Sequence, residues 1–136
     1  MNCIFCDIVN HKSSAEILYE NEKIISFLDI NPMNYGHTLI IPKQHFENFL
    51  QVPNEYIQEM INGTKIISDA ITKSIKPDGF NIVANNGRAA GQSVFHFHFH
   101  IIPRFLDDGF KIKLNLKKYQ NGTIKLFGEK IRSEIK

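Results

Sequence analysis

Tryptophan is absent from this 136-residue chain, and cysteine occurs only at Cys3 and Cys6. One pair of thiols cannot staple a small secreted scaffold, so the chain has to rely on a hydrophobic core. No uninterrupted apolar stretch approaches the roughly 20 residues that a membrane-spanning helix requires. The opening Met1-Asn2-Cys3-Ile4-Phe5-Cys6 lacks a basic segment followed by an apolar core. That argues against a secretory signal and makes the cytoplasm the expected location, with no membrane partner. Charge of one sign is lacking too: 16 basic and 14 acidic residues leave a formal +2. Such a balance does not outline an extended nucleic-acid groove, although a small anion needs only a local arrangement.

What is present reads as one domain with a modest core. Ile17-Leu18-Tyr19 and Ile24–Leu28, separated by Glu20-Asn21-Glu22-Lys23, predict a hairpin over 17–29, with Asp29 where the second arm ends. After the loop Asn31-Pro32-Met33-Asn34-Tyr35-Gly36, residues 37–42 read as a strand stopped by Pro42. Ile57, Ile61, Thr64, Ile67, Ile71 and Ile75 recur at helical spacing and predict a long helix from Pro53 to about Ile75, despite Gly63. Further strands are expected over 80–84 and 94–102. From Leu106 onward the pattern reads as short strands and loops, with a turn at Asn121-Gly122. Lys111, Lys113, Lys117 and Lys118 there read as a solvated face rather than a nucleic-acid site.

Chemistry concentrates in His96-Phe97-His98-Phe99-His100. Alternate side chains of a strand share a face, so the three histidines should line one surface while Phe95, Phe97 and Phe99 occupy the other. Same-face neighbours rise about 6.6 Å apart, which argues against all three gripping one metal ion. The row suits a division of roles, in which one imidazole attacks phosphorus and a neighbour stabilises phosphate oxygens. The preceding Gly87–Ser93 loop can turn backbone N–H groups toward an anion, with Ser93 adding a hydroxyl and Asn85 an amide. Cys3 and Cys6 on their own are compatible with half of a zinc site, a redox pair or two free thiols.

From Cys3 through Arg104 the sequence resembles the histidine triad (HIT) family, in particular its compact purine nucleoside phosphoramidase and dinucleoside polyphosphate hydrolase branch. The resemblance is carried by His96-Phe97-His98-Phe99-His100-Ile101-Ile102, preceded by Gly91-Gln92-Ser93-Val94. It implies an α+β fold, an antiparallel sheet with a long packing helix, in a single HIT domain over 1–136 with a short C-terminal extension. It implies hydrolysis at the α-phosphate of a purine nucleotide through a nucleotidyl-His98 intermediate. His96 would orient the nucleophile through its carbonyl, His100 would lie at the phosphate or bridging oxygen, and His37 would be a fourth histidine of the site. Asp29 would accept from the ribose hydroxyls; Asn85, Gln92 and Ser93 would lie with the substrate; and Phe5, Phe27 and Ile30 would form the base pocket.

The same resemblance, through Pro42-Lys43-Gln44-His45, implies a structural zinc ion on Cys3, Cys6, His45 and His96, with no organic cofactor, and a homodimer. Some relatives place a tryptophan near the partner's pocket, and this chain has none, so leaving-group preference stays open. A nucleotidyltransferase, or a nucleotide-responsive binding or adaptor protein, are the alternatives.

Overall fold

The computed structural model describes residues 2–136. Helix α1 (Ile4–Val9) is followed by strands β1 (Ile17–Glu20), β2 (Ile24–Leu28) and β3 (Thr38–Pro42). Helix α2 (Asn54–Ser74), strands β4 (Gly79–Val83) and β5 (Phe99–Arg104), and helix α3 (Thr123–Glu134) complete the order. The strands form one five-stranded sheet, β1-β2-β3-β5-β4, with every neighbouring pair antiparallel. The expected α+β architecture, an antiparallel sheet under a long helix, is therefore what the chain adopts.

Period-two alternation sorts the side chains between two cores. Ile24 of β2, Ile40 of β3, and Phe99 and Ile101 of β5 meet Met60, Ile67 and Ile71 of α2 on one face of the sheet. Ile25 and Phe27, Leu39 and Ile41 face the other way and are covered by Phe5 and Ile8 of α1. Gly63, a liability for helix propensity, is explained by this packing: a Cβ there would lie 2.5 Å from Ile24 Cδ1, inside a fully buried contact. Gly63→Val is accordingly expected to cost about 1–3 kcal/mol through overpacking, read as a lower urea midpoint. An unchanged midpoint would show that α2 and β2 have room to separate.

Two expectations are corrected. The strand foreseen over 94–102 begins only at Phe99, because the backbone before it is engaged elsewhere: Phe97 N–H donates to the Phe46 carbonyl at 2.6 Å. The alternation nevertheless survives from His96 to Phe99, with Phe97 and Phe99 in the α2 core and His96 and His98 against Phe5, whereas Phe95 belongs to neither core. In the C-terminal segment the expected loops run to Gln120 and the expected turn lies at Asn121-Gly122, but no strand forms there; the segment ends instead in α3, with Gly122 (φ 72°) at its N-cap. Ile124, Phe127 and Ile131, at helical spacing, were the missed signal. The helix buries none of its residues. Residues 109–136 carry eight basic and two acidic residues, whereas 1–108 carry eight basic and twelve acidic.

Candidate functional site

On the α1 side of the sheet, Phe5, Phe27, Asp29, Ser93, His98 and His100 surround a cleft of about 370 Å³. The turn after β2 places Asp29 at its mouth, and β5 brings His100 beside His98, with ring centroids 4.8 Å apart. Phe5 stands edge-on to both Phe27 and His98, at centroid distances of 5.5 and 5.1 Å. This packing makes an apolar floor next to the imidazoles. Ile30 also lines the cleft, and is 87% exposed there.

Hydrogen-bond partners settle which ring nitrogens carry protons. His98 Nδ1 lies 2.7 Å from the His96 carbonyl, which can only accept, so Nδ1 is the donor and Nε2 keeps its lone pair. His96 Nε2 donates likewise to the Pro42 carbonyl at 2.7 Å, leaving its Nδ1 lone pair toward the cysteines. His37 Nδ1 accepts the Met33 N–H at 3.1 Å, so its proton resides on Nε2, 2.9 Å from His100 Nδ1. His100 then carries its own proton on Nε2. Asp29 Oδ2 is 3.6 Å from His37 Nε2.

Burial keeps these rings neutral. Desolvation holds His98 and His37 below the usual histidine value, against the raising pull of the His96 carbonyl on His98 and of Asp29 on both. His100 is pushed down to about 4 by desolvation, reinforced by His98 and His37. The unfolded chain takes up the proton near pH 6.5, the folded one only near 4. Stability is therefore full above about pH 6.5 and falls as the pH drops toward 4. Thermal melts at stepped pH should show that decline; a melting temperature flat across the window would mean that His100 titrates freely in the folded chain.

Not every expected residue joins the cleft. Gln92 is turned inward: its Oε1 accepts the Gly87 N–H, and its Nε2 donates to the Glu47 and Val94 carbonyls. That spends its amide on shaping the Gly87–Ser93 loop, and Gln92 is not among the residues that line the cleft. Asn85 lies beside Gly91, about 3.6 Å from where a Cβ would stand, and outside the cleft lining.

A second cluster lies behind the first. Cys3 Sγ, Cys6 Sγ, and one nitrogen each of His45 and His96 fall within 4.8 Å of one another, a Cys2His2 arrangement able to hold a metal ion. Cys3 Sγ and Cys6 Sγ stand 3.5 and 3.6 Å from His96 Nδ1, and Cys6 Sγ lies 3.4 Å from His45 Nδ1. A tetrahedral zinc ion with ordinary Zn–S and Zn–N lengths spans sulfur–nitrogen edges of about 3.5 Å, so the donors are spaced to fit one. Burial, together with the neighbouring Cys3, pushes the Cys6 thiol up to about 11, so a Cys6 thiolate there calls for a cation. His96, with Cys3, Cys6 and His45, and His100, with His37 and Asp29, fall in different groups, in keeping with the expectation that the three histidines do not share one metal ion. Sequence reasoning missed Met33, whose backbone amide sets the His37 tautomer. No periodicity or motif marks such a contact.

Known proteins match this arrangement. A family model described as the HIT domain matches residues 10–107. A HIT-like protein of Methanocaldococcus jannaschii is 50% identical over 111 residues, covering 82% of this chain and 85% of its own. The adenosine 5'-monophosphoramidase of Schizosaccharomyces pombe is 37% identical over 137 residues and 100% of both chains. Among solved structures, a HIT family protein from Bacillus subtilis superposes with a TM-score of 0.93 at 37% identity, over 100% of this chain and 99% of that one. A zinc-bound histidine triad family protein from Mycobacterium smegmatis does so with a TM-score of 0.77 at 34% identity, over 99% of each.

Proposed function

The chain belongs to the HIT family, and from that premise we propose that it hydrolyses purine nucleoside phosphoramidates or dinucleoside polyphosphates at the α-phosphate through a nucleotidyl-His98 intermediate. The observation that carries the reading is the His98 ring itself. Its Nδ1–H is tied to the His96 carbonyl at 2.7 Å, so a neutral Nε2 lone pair is available in a cleft with an apolar floor and a carboxylate at its mouth. The base would rest on Phe5 and Phe27, and Asp29 would accept from the ribose hydroxyls.

In the first half-reaction, His98 Nε2 forms a bond to the α-phosphorus as the bond to the leaving group breaks, the electron pair departing with that group: a phosphate leaves as its anion, and a leaving amine takes up a proton from solvent as it departs. His100 Nε2–H donates to the departing atom on which charge accumulates, and Ser93 donates to the phosphate oxygens. Water then attacks the same phosphorus, giving up a proton to solvent, and the bond to His98 Nε2 breaks with its electron pair returning to the ring, which releases the nucleotide. Splitting one difficult displacement into two is the advantage of the covalent route. The ring of His96 remains with the cysteines while its carbonyl orients the nucleophile.

Cys3, Cys6, His45 and His96 would hold a zinc ion as a closed, four-ligand structural site, consistent with the zinc-bound relative. When bound, it supplies cross-linking of α1 to the strand–loop backbone. The chain would act as a homodimer, for which the exposed Phe80 and Ile82 of edge strand β4, beside α2, are the supporting surface. Among the described residues, no helix is long and apolar enough to cross a membrane. The reading is tested by measuring nucleotide release from adenosine 5'-phosphoramidate and diadenosine tetraphosphate, with parallel binding titrations. Release from either supports it, and the ratio of rates picks the substrate class. Tight binding without release from either would instead indicate a nucleotide-responsive binding protein.

A further inference from the structure

Between β2 and β3 the loop 31–36 delivers the Met33 N–H to His37 Nδ1. Most of this loop is exposed, Met33 and Tyr35 included, yet its Asn34 is partly buried and anchored 69 and 74 residues away in sequence. Asn34 Nδ2 donates to the Pro103 carbonyl at 2.8 Å and to Asp108 Oδ2 at 3.0 Å. The Asp108 side chain is only 5% exposed and is itself fixed. Arg104 grips it with Nε at 2.8 Å and Nη2 at 3.1 Å, and the Phe105 and Phe110 N–H groups each donate to it at 3.0 Å. On its other side Asn34 presents its carbonyl to the His37 N–H at 3.0 Å. One residue thus clamps the loop to the end of β5 and holds the backbone that follows the Met33 amide.

Resting on the functional reading above, we propose that Asn34 is a positioning residue: by holding the Met33 amide on His37 Nδ1 it fixes the His37–His100 tautomers, so that His100 offers the cleft a donor rather than a lone pair. The alternative arrangement is chemically simple. Without the Met33 N–H, His37 can carry its proton on Nδ1 and accept at Nε2. His100 Nδ1–H then donates to His37, and His100 Nε2 faces the substrate as an acceptor, repelling the charge that builds on the departing atom. No bond to phosphorus changes; what changes is whether the leaving group is met by a donor. Departure of a poor leaving group depends on that donor, and departure of a good one much less.

The test compares wild type with Asn34→Ala, using nitrogen-15 NMR of the histidine rings and turnover of two adenylyl substrates, an amine-leaving phosphoramidate and a p-nitrophenyl ester. The expected result is a His37 Nδ1 without a proton in wild type and a mixture of tautomers in the variant. Turnover (kcat) should fall on the order of 10-fold or more for the phosphoramidate but less than about 3-fold for the ester, with KM changing little. Asn34→Ser, which can keep one of the two donations, should lie between them and serves if the alanine variant does not fold. An unchanged His37 tautomer in a folded variant, or equal losses on both substrates, would overturn the proposal. If wild type turns over neither substrate, the hydrolase reading fails, while the nitrogen spectra still decide the positioning.

Discussion

His98→Ala is expected to reduce kcat on adenosine 5'-phosphoramidate and diadenosine tetraphosphate by on the order of 10⁴-fold or more, the scale seen when a covalent nucleophile is removed. Nucleotide binding should change only a few-fold, because Phe5, Phe27 and Asp29, which line the cleft, are untouched. The loss is that large because the ring's two nitrogens are already committed: Nδ1 to the His96 carbonyl, Nε2 to the cleft. Neither His37 nor His100 can replace it, since their facing nitrogens are joined at 2.9 Å. Rapid acid quenching of wild type should also leave nucleotide attached to the peptide containing His98. Residual turnover within 100-fold of wild type would mean that water attacks phosphorus directly and would remove the covalent intermediate from the account.

The second large effect concerns the cysteine–histidine cluster. Extraction of metal by a strong chelator, or Cys6→Ala, is expected to lower the melting temperature by about 10 °C. A structural zinc site in a small peptide supplies most of its folding energy. Here two apolar cores exist without it, so only a few kcal/mol should depend on it, at roughly 3 °C or more per kcal/mol for a chain of this size. Activity should fall with it, because His96 joins the cluster through its ring and the nucleophile through its carbonyl. Elemental analysis of the untreated protein should find about one zinc per chain. No bound metal, together with melting indifferent to chelator, would leave the cysteines as free thiols.

The sheet was legible because burial on two faces imposes period two and a long helix imposes 3.6. Ile24, Ile25, Ile40 and Ile41 obey the first rule and Met60, Ile67 and Ile71 the second. The histidine row was legible for the same reason, even though its first half is not a strand. What escaped depends on backbone groups or on contacts distant in sequence. The Met33 amide, the Pro42 carbonyl and the Phe46 carbonyl have no side-chain signature, and Asn34 meets Asp108 across 74 residues. Gln92 was placed with the substrate by the family resemblance, and only its three backbone partners reveal that its side chain faces inward. The α3 helix was obscured by the Asn121-Gly122 turn signal at its start, which suits a helix boundary as well as a hairpin.

The C-terminal segment also alters what the overall charge means. A formal +2 suggests a nearly neutral particle, yet the value averages a body with twelve acidic and eight basic residues and a segment, 109–136, with eight basic and two acidic. Severed after residue 108, the two pieces would migrate toward opposite electrodes at neutral pH. Joined, they carry their charge unevenly along the sequence: the basic segment favours polyanions and the acidic body favours cationic resins. Both attractions weaken as ionic strength shortens the screening distance to about 10 Å at 0.1 M salt.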